Sequence, residues 1–295
     1  MALFSKAQRR KAKLRLAMCG TSGSGKTYGS LLIAKGLGGK IALIDTENGS
    51  GSLYENVCDY DVAEIAPPFT VEKYINCIHE AEKAGYNVLI IDSLSHAWAG
   101  QGGLLEEVDK RNKGNSFTAW RDVTPMHNKL VDTILQAQLH IIVTMRTKTA
   151  YELEKNDKGK VTPTKKGMAP IQRDGLEYEF TVVFDLDNDK HMAQAGKDRT
   201  SLFDGKMFVP DTSTGEALKE WLEEGLEPLA SDQQCKEIFA KSKELGLSAD
   251  DMKAILKFKF KIGSSKEITV GIYNDLIHNL DKIWNDYVAE NSKVG

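Results

Sequence analysis

No apolar run in the chain approaches 18 residues, which excludes a transmembrane helix. Cysteine is scarce. Cys19, Cys58, Cys77 and Cys235 show no CxxC spacing and no histidine at metal-ligand distance along the chain. That argues against a thiolate metal centre or a disulfide framework, and for reduced thiols in a cytosolic protein. Charge of either sign is nearly balanced: the net value of −3 leaves no global field to draw the chain to nucleic acid or a membrane, so any such attraction must be local. There is no internal repeat and no low-complexity segment. Arginine disappears after Arg199, and the last 96 residues carry positive charge on lysine alone.

The composition that remains is ordinary for a soluble globular chain, and 295 residues suit one large domain with a small one beside it. The opening MALFSKAQRRKAKLRLAMCG is basic, but its apolar part is too short for a signal peptide, so residues 1–12 read as a basic arm. Residues 14–19, 40–45, 86–92 and 139–145 read as strands, the last two as continuous apolar runs buried on both faces. Helical periodicity follows from KTYGSLLIAKGLGG and from TVEKYINCIHEAEKAG, where Val71, Tyr74, Ile75, Ile78 and Ala81 share a face. TPMHNKLVDTILQAQ predicts a helix with Thr124 as N-cap and Pro125 at its first position. FTVVFDLD (180–187) and HMAQAGK (191–197) predict a late strand pair, and residues 213–225 a closing helix.

This alternation predicts an α/β core over residues 13–226, with a mostly parallel central sheet flanked by helices. Residues 227–231 read as a linker. Residues 232–295 read as a small all-α unit of three helices. Ser231 with Gln234, and Ser248 with Asp251, form capping boxes there, and Ile272, Leu276, Ile277, Leu280, Ile283 and Trp284 form an apolar stripe.

The chemistry concentrates in GTSGSGKT at 20–27, a G-x-x-x-x-G-K-[ST] match standing between a strand and a helix. Gly20, Gly23 and Gly25 let the backbone curl so that the N–H groups of Gly20, Thr21, Ser22, Gly23, Ser24, Gly25, Lys26, Thr27 and Tyr28 surround phosphate oxygens at a helix N-terminus. Lys26 reaches the β- and γ-phosphates of ATP, and the Thr27 hydroxyl ligates Mg²⁺. A dinucleotide fold is argued against, because no glycine stands three residues after Gly25. Asp92, at the end of NVLIID, supplies the second acidic partner for Mg²⁺. Hydrolysis also needs a group to orient and deprotonate water. Glu47, two residues past Asp45 in ALIDTENGSG, has glycines after it that leave room.

Residues from about 12 to 226 resemble the phage-encoded RecA-like ATPases that carry what is called an AAA domain, some of which promote single-strand annealing in recombination. The resemblance rests on GTSGSGKT, LIDTENGSGSLY, VLIIDSLSHAW, IIVTMRTKTAY, GMAPIQRDGLEYEF, KDRTSLFDG and TGEALKEWL. It implies a RecA-like P-loop fold, ATP hydrolysis with Glu47 as catalytic base, and a life in the cytoplasm of an infected or lysogenic bacterium. It also implies that Lys197 and Arg199 in KDR project toward the ATP of a neighbouring subunit in a ring or filament, where cations stabilise charge on the transferring phosphoryl group. Arg173 in IQRDG competes for that role. The chain departs from the recombinases where they carry a polar Gln or Asn sensor. It has Thr144, Met145 and Arg146 there, so Arg146 or Lys148 replaces the sensor or contacts DNA.

Three basic features suit single-stranded DNA: the arm with Lys6, Arg9, Arg10, Lys11, Lys13 and Arg15; KNDKGKVTPTKK at 155–166; and KFKFK at 257–261, where core filling by Phe258 or Phe260 competes with base stacking. The helical tail also suits a partner such as a single-strand-binding protein. His96, Trp98 and Trp120 read as packing residues. Two functions follow: an ATP-hydrolysing DNA motor or recombinase, and a nucleotide-gated annealing or scaffold protein with little hydrolysis. A small-molecule kinase is a third option.

Overall fold

The computed structural model describes residues 6–112, 114, 116–155 and 161–291, with the backbone alone for 150–155, 161–166 and 291. In chain order the elements are β1 (Arg15–Gly20), α1 (Lys26–Leu37), β2 (Ile41–Asp45), β3 (Asp61–Glu64), α2 (Val71–Lys83), β4 (Val88–Asp92), α3 (Ser95–Ala99), α4 (Leu104–Arg111), α5 (Ser116–Gln136), β5 (His140–Lys155), β6 (Val161–Pro170), β7 (Val182–Leu186), β8 (Ala193–Asp198), β9 (Met207–Phe208), α6 (Thr212–Glu223), α7 (Asp232–Glu244), α8 (Ala249–Phe260) and α9 (Val270–Asn291).

The strands form one sheet in the order β3-β2-β4-β5-β1-β7-β8-β9, with β6 paired to β5. The pairs from β3 through β7 are parallel, while β6, β8 and β9 join antiparallel. Strand side chains alternate between faces, and both faces are apolar. Ala17, Cys19, Leu89, Ile91, Ile141 and Val143 belong to one core with α2, α4 and α5. Leu16, Met18, Val88, Ile90, Ile142 and Phe184 belong to the other with α1 and α6. This is the mostly parallel sheet with helices on both faces that the alternation predicts.

The close approach of α1 and α6 is made by two glycines. A Cβ on Gly36 would stand 2.1 Å from the Thr212 carbonyl oxygen, and one on Gly215 would stand 2.1 Å from that of Ile33.

Two expectations are corrected in this region. Pro125 does not open its helix; it lies inside α5, which begins at Ser116. The buried stripe Ala119, Val123, His127, Leu130 and Ile134 runs through the proline at helical spacing, and its burial outweighs the lost backbone hydrogen bond. Arg15 is not part of an exposed basic arm. It is 6% exposed, and its guanidinium donates to the carbonyls of Leu14, Leu135, Ala137 and Leu139, closing the C-terminal end of α5. Residues 156–160 of the predicted DNA loop, and residues 1–5 of the arm, lie outside the described residues. The flanks of that loop are the outer ends of β5 and β6.

Residues 13–222 form one compact unit, and 1–12 with 223–295 form another. The division falls four residues before the expected end of the core. Leu226 belongs with the arm, because its N–H donates to Arg9 O and its carbonyl accepts from Lys11 N. Arg9 pairs with Glu224, Lys11 with Glu227 at 2.6 Å, and Arg10 donates to Glu227 O. These cations are therefore engaged by the acid run at 223–227.

In the same unit α7, α8 and α9 bury Ile238, Met252, Ile255, Leu256, Leu276, Leu280 and Ile283. Both capping boxes form, with Ser231 against Gln234 and Ser248 against Asp251.

Candidate functional site

The carboxyl ends of four parallel strands meet at one edge of the sheet. In register, Asp45 of β2 lies beside Asp92 of β4, and Met18 and Gly20 of β1 lie beside Thr144 and Arg146 of β5. Open parallel sheets bind ligands at this edge. From β1 the chain turns through residues 20–27 into α1. Gly23 and Gly25 hold φ of 81° and 85°, a region other residues enter at a cost, and Gly25 caps the helix. The first N–H groups of α1 therefore point into the turn, where they and the helix dipole suit an anion.

The side chains expected here do converge. Lys26 is 8% exposed, and its ammonium donates to Thr21 O at 2.7 Å, bent back over its own loop. Burial lowers its pKa, opposed by the nearby charges of Asp92 and Glu47. Asp92 is 2% exposed and accepts from Thr27 Oγ1 and Thr144 Oγ1, both at 2.5 Å. Burial raises its pKa, and those two hydrogen bonds counter the rise. Thr27 and Asp92 thus present an adjoining hydroxyl and carboxylate, an all-oxygen pair of the kind Mg²⁺ takes. Among the described residues no group of three or more His, Cys, Asp and Glu is placed for a metal, so a cation at this pair would need oxygens from a nucleotide as well.

Glu47 stands on the turn after β2, and a buried acid fixes that turn. Asp45 accepts from the N–H groups of Glu47 at 2.6 Å and Gly51 at 2.8 Å. The Glu47 carboxylate is gripped by Arg146, which donates Nε at 3.0 Å and Nη2 at 2.8 Å to the same oxygen, Oε1. Thr144 and Arg146 are two residues apart on β5, so one strand touches both acids. Behind them, Ser93 N–H donates to the Thr46 hydroxyl at 2.8 Å, and that hydroxyl lies 2.6 Å from His96 Nδ1. His96 also stacks on Phe69, a packing contact of the kind expected of it, while its Nδ1 meets the Thr46 hydroxyl. Trp98 and Trp120 do stack on each other within the packed layer.

Asn188, in the β7–β8 turn, carried no signal in the sequence. Its amide accepts from Thr21 Oγ1 at 2.8 Å and donates to Ser22 O at 3.0 Å, clasping the phosphate turn. Asp187 stiffens the clasp by accepting from the N–H groups of Asp189, Lys190 and Met192. Ser24 is fully buried and its Oγ has no protein partner. Tyr28 is half exposed and meets the Tyr54 ring edge-on at 6.2 Å.

Lys197 and Arg199 are not brought to this edge of their own chain. They sit two strands from β1, with Lys197 opposite Val183 and Arg199 N–H donating to Thr181 O. Both side chains donate to the Tyr178 carbonyl. Burial and the neighbouring Arg199 lower the Lys197 pKa. Arg173 lines a cavity of about 390 Å³ with Thr124, His127, Asn128 and Asp132 of α5. Lys148 is exposed on β5.

A family model described as an AAA domain matches residues 12–211. No curated protein matches the chain. Among the described residues no helix is long and apolar enough to cross a membrane.

Proposed function

The chain belongs to the AAA domain family, a family of P-loop nucleotide-binding ATPases, and from that premise we propose that it is a Mg²⁺-dependent ATPase of RecA-like type acting on single-stranded DNA in phage recombination or replication. The observation that carries the reading is the meeting of Lys26, Thr27, Asp92 and Glu47 at one strand edge beside an anion-binding helix terminus. In this reading Gly20 through Tyr28 wrap the phosphates. Lys26 would leave Thr21 O for the β- and γ-phosphates, and Thr27 and Asp92 would hold the metal. Bound there, Mg²⁺ would offset charge on the β- and γ-phosphates. Glu47 orients the attacking water and takes its proton at a carboxylate oxygen. Lys197 and Arg199 belong to the next subunit's ATP in a ring or filament, and their distance from the phosphate turn of their own chain is consistent with that use.

A second reading, a nucleotide-gated annealing or scaffold protein with little turnover, is favoured by one observation. Arg146 donates twice to one Glu47 oxygen and ties down the carboxylate that the first reading needs to turn toward water. Steady-state ATP turnover with and without single-stranded DNA separates the two. The first reading expects turnover that DNA increases and that Glu47→Gln abolishes while ATP still binds. No turnover in either condition, with ATP-dependent assembly intact, would leave the scaffold reading standing.

A further inference from the structure

The motif KFKFK divides in the folded protein. Phe260 packs against the core of the helical unit. Phe258 does not: its ring meets Tyr287 of α9 edge-on, with centroids 5.4 Å apart, and Tyr287 in turn stacks on Trp284 at 5.5 Å and 28°. Trp284 is packed on the core, so the three half-buried rings form a ladder leading from the core toward solvent. Cations flank the ladder. Lys261 lies 5.9 Å from the Phe258 ring centre and donates to Phe258 O. Lys257 precedes Phe258, is exposed, and makes no ion pair among the described residues. Lys257 stands on the last turn of α8, and Lys261 is its C-cap, left-handed at φ 57° and held beside the Phe258 ring. From Met252 to Lys266 the chain carries five lysines and no acid. The acids Asp286 and Glu290 flank Tyr287 on α9, so the positive charge beside the ladder comes from α8 and its C-cap.

A run of lysines alone would be a solvated face, and rings alone would be core. Together they match an anionic polymer whose planar groups are exposed. Bases stack on aromatic rings while ammonium groups follow the phosphates, and only a single strand offers its bases in this way. We propose that the α8–α9 face is a binding site for single-stranded nucleic acid, with Phe258, backed by Tyr287 and Trp284, taking a base and Lys257 and Lys261 taking phosphates. The proposal rests on the DNA-acting reading above and assigns one contact surface for it.

The test uses the full chain and a fluorescently labelled oligothymidylate, with binding followed by anisotropy over a range of salt. The wild type is expected to bind, with affinity falling as salt rises. Lys257→Glu with Lys261→Glu should weaken binding and reduce the magnitude of the salt slope by about two. Phe258→Leu should weaken it at least about fivefold, in line with the loss of a stacked base. The charge variant alters exposed positions, so it keeps the proposal testable if Phe258→Leu unfolds the unit. If the wild type binds and both variants bind equally well with the same slope, the α8–α9 site is overturned while the DNA-acting reading survives. If the wild type fails to bind with or without ATP, both are overturned. If the lysine variant alone loses binding and polyglutamate competes as well as the oligonucleotide, the face takes acidic peptide and the nucleic-acid proposal is overturned.

Discussion

Arg146 holds Glu47 by two nitrogens on a single carboxylate oxygen, at 3.0 and 2.8 Å, across 99 residues of sequence. That grip fixes the orientation of the carboxylate, and the guanidinium competes with an attacking water for it. Arg146→Gln is therefore expected to raise DNA-independent ATP turnover several-fold over the wild type, measured by phosphate release at saturating ATP. A fall as deep as that of Glu47→Gln would instead make Arg146 a participant in turnover.

Lys197 and Arg199 lie apart from their own phosphate turn, so the trans assignment has a direct test. Lys26→Ala and Arg199→Ala subunits should each be inactive alone. Mixed, they should recover part of the wild-type turnover, because the first lends its cations to the second's intact phosphate turn. Absence of recovery in proven co-assemblies would return both residues to the surface, where their contact with Tyr178 O is their whole role.

The Asn188 clasp should set the resting shape of the phosphate turn. Two hydrogen bonds of about 0.5–1.5 kcal/mol each correspond to roughly a 5- to 150-fold rise in the ATP dissociation constant for Asn188→Ala. Titration with a fluorescent ATP analogue measures it, and the nucleotide-free protein should melt a few degrees lower as well, because the same two bonds are lost there. An unchanged dissociation constant would show that the turn holds its shape without Asn188.

At the α1–α6 crossing, an added methyl group meets backbone, which cannot rotate away. Gly36→Ala should cost about 1–3 kcal/mol or more through overpacking, read as a melting temperature lower by roughly 3–10 °C. Gly85→Ala is a useful contrast. Gly85 has a positive φ of 73°, but no atom lies within 4 Å of the place its methyl group would take, so its cost is conformational alone.

His140 accepts the Leu14 N–H at Nδ1, 3.0 Å away, and therefore needs that nitrogen unprotonated. Burial, reinforced by Lys13, Arg15 and Lys219, pulls its pKa down from 6.5 to about 3. Between these values the unfolded chain binds a proton that the folded chain refuses. Stability from this group is thus full above pH 6.5 and declines as the pH falls toward 3, by at most about 1.4 kcal/mol per pH unit. Denaturant unfolding at several pH values should show a shallower acid decline for His140→Asn. Identical pH profiles would assign the decline to other groups.

Local rules carried the sequence reading far. The phosphate turn, the buried strands and both capping boxes each depend on residues within a few positions of one another, and each stands where it was expected. Elements without a local signature were missed. β3 is Asp-Val-Ala-Glu with every residue exposed, so no apolar alternation marks it. Pro125 marked a helix start by its own preference, while the stripe upstream of it decided otherwise. In the site, Lys26 and Thr27 were legible because their motif defines them, and Asp92 because it ends a buried apolar strand. The Arg146–Glu47 and Asn188–Thr21 pairs were not, since their partners are 99 and 167 residues apart and meet only once the sheet has formed.

β5 begins between β4 and β1 in the sheet and continues without a break from His140 to Lys155, leaving the central sheet to pair with β6 alone. An extended strand of 16 residues spans on the order of 50 Å and cannot stretch appreciably. It works as a beam, clamped at one end between two neighbours and carrying Thr144 and Arg146 just inside the clamp. The strand that pairs with β6 is thus the same strand that holds Asp92 and Glu47, with no loop between the two parts. The register shift at Ala150 and Tyr151 is the one irregularity in the described β5–β6 ladder, and a bulge there bends the beam locally.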